Sequence, residues 1–162
     1  MRQVISILLE NEAGALSRVV GLFSQRGYNI ENITAAPTED KSISRITILT
    51  EGERITKQLH KLVNVIKVSS QQDNSCDIVE REILFVKVQA VGHTLREEIK
   101  TLCDIFKAEI VDITPELYIL QFVNTSFEVD RFLKAVSEQA EVIETVRSGV
   151  CGIFRGEHSL HS

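Results

Sequence analysis

The chain reads as α+β: two ferredoxin-like β-α-β-β-α-β units in tandem. Two observations predict this. Short β-rich runs and segments of helical period follow one another in that order. The order then occurs a second time, beyond the polar, aperiodic stretch Ser69–Asp77 (SSQQDNSCD).

The first strand is Val4–Leu9, a continuous apolar run holding one serine. From Ala15 the period changes. Leu16, Val19, Val20 and Phe23 fall at i, i+3, i+4 and i+7, one face of a helix. Gly27 is placed to end it. Asn29–Thr38 reads as a second strand, closed by Pro37 and a polar turn, Thr38–Ser42. Ile43–Thr50 alternates and reads as a half-buried strand. Ile55, Leu59, Leu62 and Val63 predict a second amphipathic helix, and Val65–Ser69 a fourth strand.

In the second half Glu82–Ala90 reads as a strand. Thr94-Leu95-Arg96-Glu97 predicts a capping box that opens a helix burying Leu95, Ile99, Leu102, Cys103 and Phe106. Glu109–Thr114 and Leu117–Val123 form a hairpin around Pro115-Glu116. Thr125-Ser126-Phe127-Glu128 is a second capping box, with Val129, Phe132, Leu133 and Val136 behind it. Val142–Val150 is predicted as the last strand. The domains are therefore expected at 1–70 and 80–162, joined by a linker at 71–79.

In each unit the helices cover one face of a sheet, yet both faces carry apolar residues. Ile5, Ile7 and Leu9 oppose Val4 and Leu8; Leu84, Val86, Val88 and Ala90 oppose Ile83 and Phe85. The second set of faces calls for cover, and a homodimer is the simplest closed solution.

Composition narrows the function. With 162 residues, 43% hydrophobic and 25% charged, the chain can bury real cores. A net charge of -5 without a basic stripe argues against nucleic acid as a partner. No apolar run reaches the ~20 residues of a membrane span. The three cysteines, Cys76, Cys103 and Cys151, are scattered and make neither a disulfide framework nor a zinc pattern. A cytoplasmic setting is expected. His158 and His161 are a weak metal pair in a terminal tail. Glu80-Arg81-Glu82 reads as a solvated strand entry. Arg147 and Arg155 form a small basic cluster near the C-terminus, either a docking feature or a plain exposed tail.

The stretch with chemical promise is Asn11-Glu12-Ala13-Gly14-Ala15-Leu16. A glycine where strand becomes helix allows a left-handed turn and close approach to the main chain. The first N–H groups of a helix lack intrahelical partners and carry partial positive charge, so a carboxylate or phosphate is welcome there. Asn11 and Asn29 bracket the segment, and amides both donate and accept. The set suits a zwitterion. A plain turn built from ordinary turn formers is the competing reading.

The motif LLEN-x-x-GALSRV-x-GLF-x-x-RGYNIE, followed by SRITI and KQLHKL, closely resembles the N-terminal ACT domain of the acetolactate synthase small-subunit family. EREILFVKV, ITPELY and RSGVCGIFRG resemble that family's C-terminal domain. The resemblance implies a non-catalytic regulatory subunit in branched-chain amino-acid (valine, isoleucine, leucine) biosynthesis. Such a subunit binds a catalytic large subunit, activates it and confers feedback inhibition by valine. The chain itself would carry no cofactor; thiamine diphosphate, magnesium and FAD are expected on the large subunit. Carried over by position, valine contacts fall on Asn11, Gly14, Ala15 and Leu16 of one subunit, with Asn29 and Ile30 at the dimer interface. Two rivals are a stand-alone tandem ACT regulator of gene expression and a small acylphosphatase-like enzyme. The latter needs an arginine in the glycine turn, whereas Arg18 falls on the helix.

Overall fold

The most deeply buried strand is β1 (Arg2–Glu10), paired on both sides and covered on both faces from Gln3 to Leu9. A computed structural model describes residues 2–51, 55–72 and 78–160. After β1 come α1 (Ala15–Gln25), β2 (Asn29–Pro37), β3 (Ile43–Glu51), α2 (Thr56–Leu59) and β4 (Val65–Gln72). They form a four-stranded antiparallel sheet in the order β2-β3-β1-β4, so β2 is an edge. Ile5, Ile7 and Leu9 meet Ala15, Val19 and Phe23 of α1 and Leu59 of α2 in one core. The alternation of β1 thus sends its odd residues to the helices, as its sequence predicts.

The phase of α1 differs from expectation. Ala15, Val19 and Phe23 point inward, and Leu16 is left 44% exposed. Its C-terminus is closed by Gly27 at φ 73°, with Tyr28 N–H donating to Phe23 C=O at 3.0 Å, a Schellman closure. The expected second helix shrinks to one turn. Successive i→i−3 bonds, Lys61 to Gln58, Leu62 to Leu59 and Val65 to Leu62, wind the chain tightly into β4. Ile55 and Leu59 stay buried, while Val63 is exposed.

The second unit contains β5 (Ile78–Gln89), α3 (His93–Phe106), β6 (Glu109–Ile113), β7 (Leu117–Asn124), α4 (Ser126–Gln139) and β8 (Val142–Arg147). Its strands are ordered β6-β7-β5-β8, the same ferredoxin-like arrangement. Phe122 stacks on Phe132 at 4.6 Å between ring centres, inside a core built from Leu84, Val86, Val88, Ile99 and Val136. Ile83 and Phe85 remain on the exposed face.

The last predicted strand is split. Gly149, at φ 86°, follows β8, and a short β9 (Cys151–Phe154) then pairs with β5. By contact, Met1–Val79 groups with Val150–Ser162, and Glu80–Gly149 stands as the other unit. Residues 150–162 thus make their contacts with the first unit. The reason is packing: Val150 is fully buried with Val4, Leu49 and Ile78, on the sheet face that the helices leave open. The centre of the expected linker, 73–77 with Cys76, lies outside the described residues.

Only one of the two capping boxes forms as a cap. The Thr125 hydroxyl accepts from Glu128 N–H at 3.3 Å, although the Glu128 carboxylate turns to Arg131 instead of reaching back. At the start of α3 the cap position is Gly92, with no side-chain bond, and exposed Thr94 lies inside the helix. Thr125→Ala should cost about 1 kcal/mol of stability, the usual loss of an N-cap. Thr94→Ala should stay within about 0.5 kcal/mol of the parent. Chemical-denaturation midpoints of the two variants check the contrast.

Candidate functional site

The turn between β1 and α1 is left-handed. Gly14 has φ 83° and ψ -6°, and no side chain caps the helix it opens. Ala15 N–H bonds back to Glu12 C=O at 3.1 Å, and the first i→i−4 bond is donated by Arg18 to Gly14. The N–H groups of Leu16 and Ser17 fall between these two. An added Cβ on Gly14 would meet nothing within 4 Å, so the turn is open to an incoming ligand.

Beside the turn lies a cavity of about 190 Å³. Asn11, Glu12, Ala15 and Leu16 line one side, and Ala35, Ala36, Pro37 and Ser44 the other. Asn11 bridges to the β2–β3 turn: its main-chain N–H donates to Ser42 C=O at 2.7 Å and its amide Nδ2 to Lys41 C=O at 3.1 Å. That uses one of the two side-chain N–H donors and leaves the side-chain carbonyl as an acceptor. The β2–β3 turn is braced in its own right. The Ser42 hydroxyl and amide both donate to Asp40, at 2.6 and 3.0 Å, and hold that carboxyl below its usual range. The cavity therefore has a donor side at the helix N-terminus and an acceptor side at Asn11 and Glu10; the Glu12 carboxylate is taken up by Asn64. A small zwitterion needs both.

Of the expected residues, Asn11, Gly14, Ala15 and Leu16 come together here. Asn29 and Ile30 do not, within one chain. Asn29 is opposite Glu51, which pairs with Arg2, whereas the cavity sits by Glu10 at the other end of β1. Eight residues of strand separate the two ends, about 26 Å. Reading along the sequence missed Pro37, Ala36 and Ser44, which only the sheet register brings to the turn.

It also missed Asn64, which is 5% exposed. Its carbonyl accepts from Glu10 N–H at 2.8 Å, its Nδ2 donates to Glu12 at 3.0 Å, and its Oδ1 accepts from Arg18. A polar residue between Val63 and Val65, just ahead of a strand, was the available signal.

In the second unit an arginine ties the first helix to the neighbouring hairpin. Arg96 of α3 donates to Ala90 C=O at 2.7 Å and to Thr114 C=O, and its guanidinium lies 4.7 Å from the centre of the Tyr118 ring. Gly92 there has ψ 150°, not the left-handed turn of Gly14.

Two charged groups behave differently from expectation. Glu82 is not a solvated strand entry but is 1% exposed. Arg147 binds it at 2.5 Å and Asp130 at 2.7 Å, so this arginine is neutralised within its own unit instead of standing free for docking. Burial opposes the charge of Arg147, but the hydrogen bonds and charges of Asp130 and Glu82 outweigh it and raise its pKa. Cys103 is core: burial, helped by the Asp104 charge, pushes its thiol up to about 11. The tail is packed too. His158 lies 4.3 Å from the Phe154 ring, and Leu160 is buried. His161 lies outside the described residues, among which no cluster of metal ligands occurs.

Comparison with known proteins agrees over the full length. Residues 5–67 match the family model described as an AHAS small subunit-like ACT domain, and residues 81–156 match that of the small subunit of acetolactate synthase. The chain is 52% identical to the acetolactate synthase isozyme 3 small subunit of Escherichia coli, over 97% of this chain and 98% of that one. The chain belongs to the acetolactate synthase small-subunit family. The Haemophilus influenzae small subunit is 51% identical, with 99% of both chains covered. The crystal structure of the small subunit from Thermotoga maritima superposes with a TM-score of 0.84 at 30% identity, covering 98% of this chain and 99% of that one. Family membership carries a regulatory role in the synthase, and the first unit is an ACT domain. Among the described residues no helix is long and apolar enough to cross a membrane.

Gly14→Ala should destabilise by about 1–2 kcal/mol through backbone strain alone, since the space for a methyl is open. Urea denaturation measures it. Arg147→Met, which strands the buried Glu82 carboxylate, should cost about 3 kcal/mol by the same measurement.

Proposed function

We propose that this chain is the valine-sensing regulatory subunit of acetolactate synthase, acting as a homodimer on a catalytic large subunit. The observation that carries the reading is the placing of the cavity at one end of an edge strand. Pro37 and Ala36 line it, and Asn29 ends the same strand. If two copies of β2 pair antiparallel about Ile33, Asn29 of one protomer lies opposite Pro37 of the other. Asn29 and Ile30 of the second protomer then join Asn11, Gly14, Ala15 and Leu16 of the first. Two equivalent sites form, one at each end of the seam.

In this arrangement the valine carboxylate takes the N–H groups after Gly14, and the ammonium takes the Asn11 carbonyl and the Glu10 carboxylate. The side chain rests on Leu16, Ala35 and Ile30. Exposed Leu16 gains its cover from ligand and partner. Valine bridges two protomers, so it favours one relative arrangement of them. It inhibits because that arrangement binds the large subunit in its less active state, and the coupling is reciprocal. Thiamine diphosphate, magnesium and FAD belong to the large subunit in this reading. The chain's part is to activate the large subunit and make it responsive to valine.

The test is a thermal-shift titration of the purified chain with valine, leucine, threonine and glycine, repeated on Gly14→Asp. At a hundredfold excess over its dissociation constant, valine should add about 2.7 kcal/mol of stability. Gly14→Asp puts a carboxylate at the helix N-terminus and should abolish the shift. Leucine should bind, but more weakly, because one methylene is worth about 1–3 kcal/mol in a pocket. Absence of any shift, together with failure to co-purify with the large subunit, would leave the stand-alone regulator as the better account.

A further inference from the structure

The turn that receives the ligand carries its own competing anion. Glu12 sits two residues before Gly14, at the positive end of α1, and no side chain caps that helix. A carboxylate free to swing there is drawn to the first N–H groups of the helix. In this chain it is held elsewhere. Asn64 Nδ2 donates to the Glu12 carboxylate at 3.0 Å. Asn64 immediately precedes β4, which pairs with β1 on the side away from β3. The cavity opens on the other side, against Pro37 and Ser44. Asn64 is well anchored for this task, being buried and tied to Glu10 N–H and the Arg18 guanidinium.

We infer that Asn64 is a positioning residue of the amino-acid site: it tethers the Glu12 carboxylate on the β4 side and keeps the N–H groups of Leu16 and Ser17 open for the ligand's carboxylate. The inference deepens the valine reading and rests on it for its ligand. The tether itself exists with or without valine.

The experiment uses the full chain and three variants: Asn64→Asp, Glu12→Gln, and the two combined. Asn64→Asp keeps the acceptor for Arg18 but replaces the donor to Glu12 by a repelling carboxylate. In the double variant the introduced glutamine amide donates to the introduced aspartate, and the tether re-forms with donor and acceptor exchanged. The first readout, by NMR without any amino acid, is hydrogen exchange of the Leu16 and Ser17 amides. Asn64→Asp should slow it at least threefold as Glu12 caps the helix, and the double variant should return to the parent rate. The second readout is valine affinity by calorimetry. Asn64→Asp should weaken it at least tenfold, Glu12→Gln should retain it, and the double variant should come within threefold of the parent. Unchanged exchange in Asn64→Asp overturns the inference. So does a double variant as weak as Asn64→Asp, since Asn64 would then act through packing alone. If the parent chain takes up no valine, the valine reading falls, and the exchange rates still decide the tether.

Discussion

A sheet with helices on one side has a second face to bury, and β1 feels this most. It lies at the centre of its sheet and carries apolar residues on both faces. Ile5, Ile7 and Leu9 are met by α1 and α2; Val4 is met by the returning C-terminal segment. That segment is fixed by specific bonds as well as by burial. Val150 N–H donates to the Asn32 side chain, and Arg45 donates to Gly152 C=O, both at 3.1 Å. A Cβ on Gly152 would lie 2.9 Å from Ile78 Cδ1, so glycine lets the returning strand come in close. The exposed apolar face of one unit thus explains why the last residues of the chain leave the other.

The same strand positions the candidate site. Pairing of β1 with β3 brings the end of β1 beside the β2–β3 turn, and the left-handed Gly14 turns the chain into α1 beside them. Donors come from a helix terminus, acceptors from side chains next to it. The donors are main-chain groups already fixed by the helix, so presenting them to a ligand loses little conformational entropy. The edge position of β2 leaves one wall of this cavity on a strand with a free side for pairing.

The second unit has the same topology and a different chemistry. Arg96 stacks on Tyr118 and ties Ala90 to the β6–β7 hairpin. The buried Glu82 requires Arg147 beside it, and Asp130 completes the charge balance at the surface. The face carrying Ile83, Phe85, Val123 and Val146 stays exposed. Two copies of one fold thus carry different side chains where the first helix begins.

Local pattern was enough for the fold class. Strand alternation, the glycine stop of α1 and the Thr125 cap are contacts among residues close in sequence, and their spacing carries the physics. The same holds for one side of the site: Asn11, Gly14, Ala15 and Leu16 share one turn. Tertiary structure decided everything that depends on register or on returning chain. It set the inward phase of α1 and reduced α2 to a single turn. It drew Val150 onwards to the first unit, and it brought Pro37, Ser44 and Asn64 to the turn at Gly14. Asn29 lies at the far end of the sheet from Asn11 for the same reason: an antiparallel strand carries its two ends apart, and only pairing beyond the single chain can bring them together again.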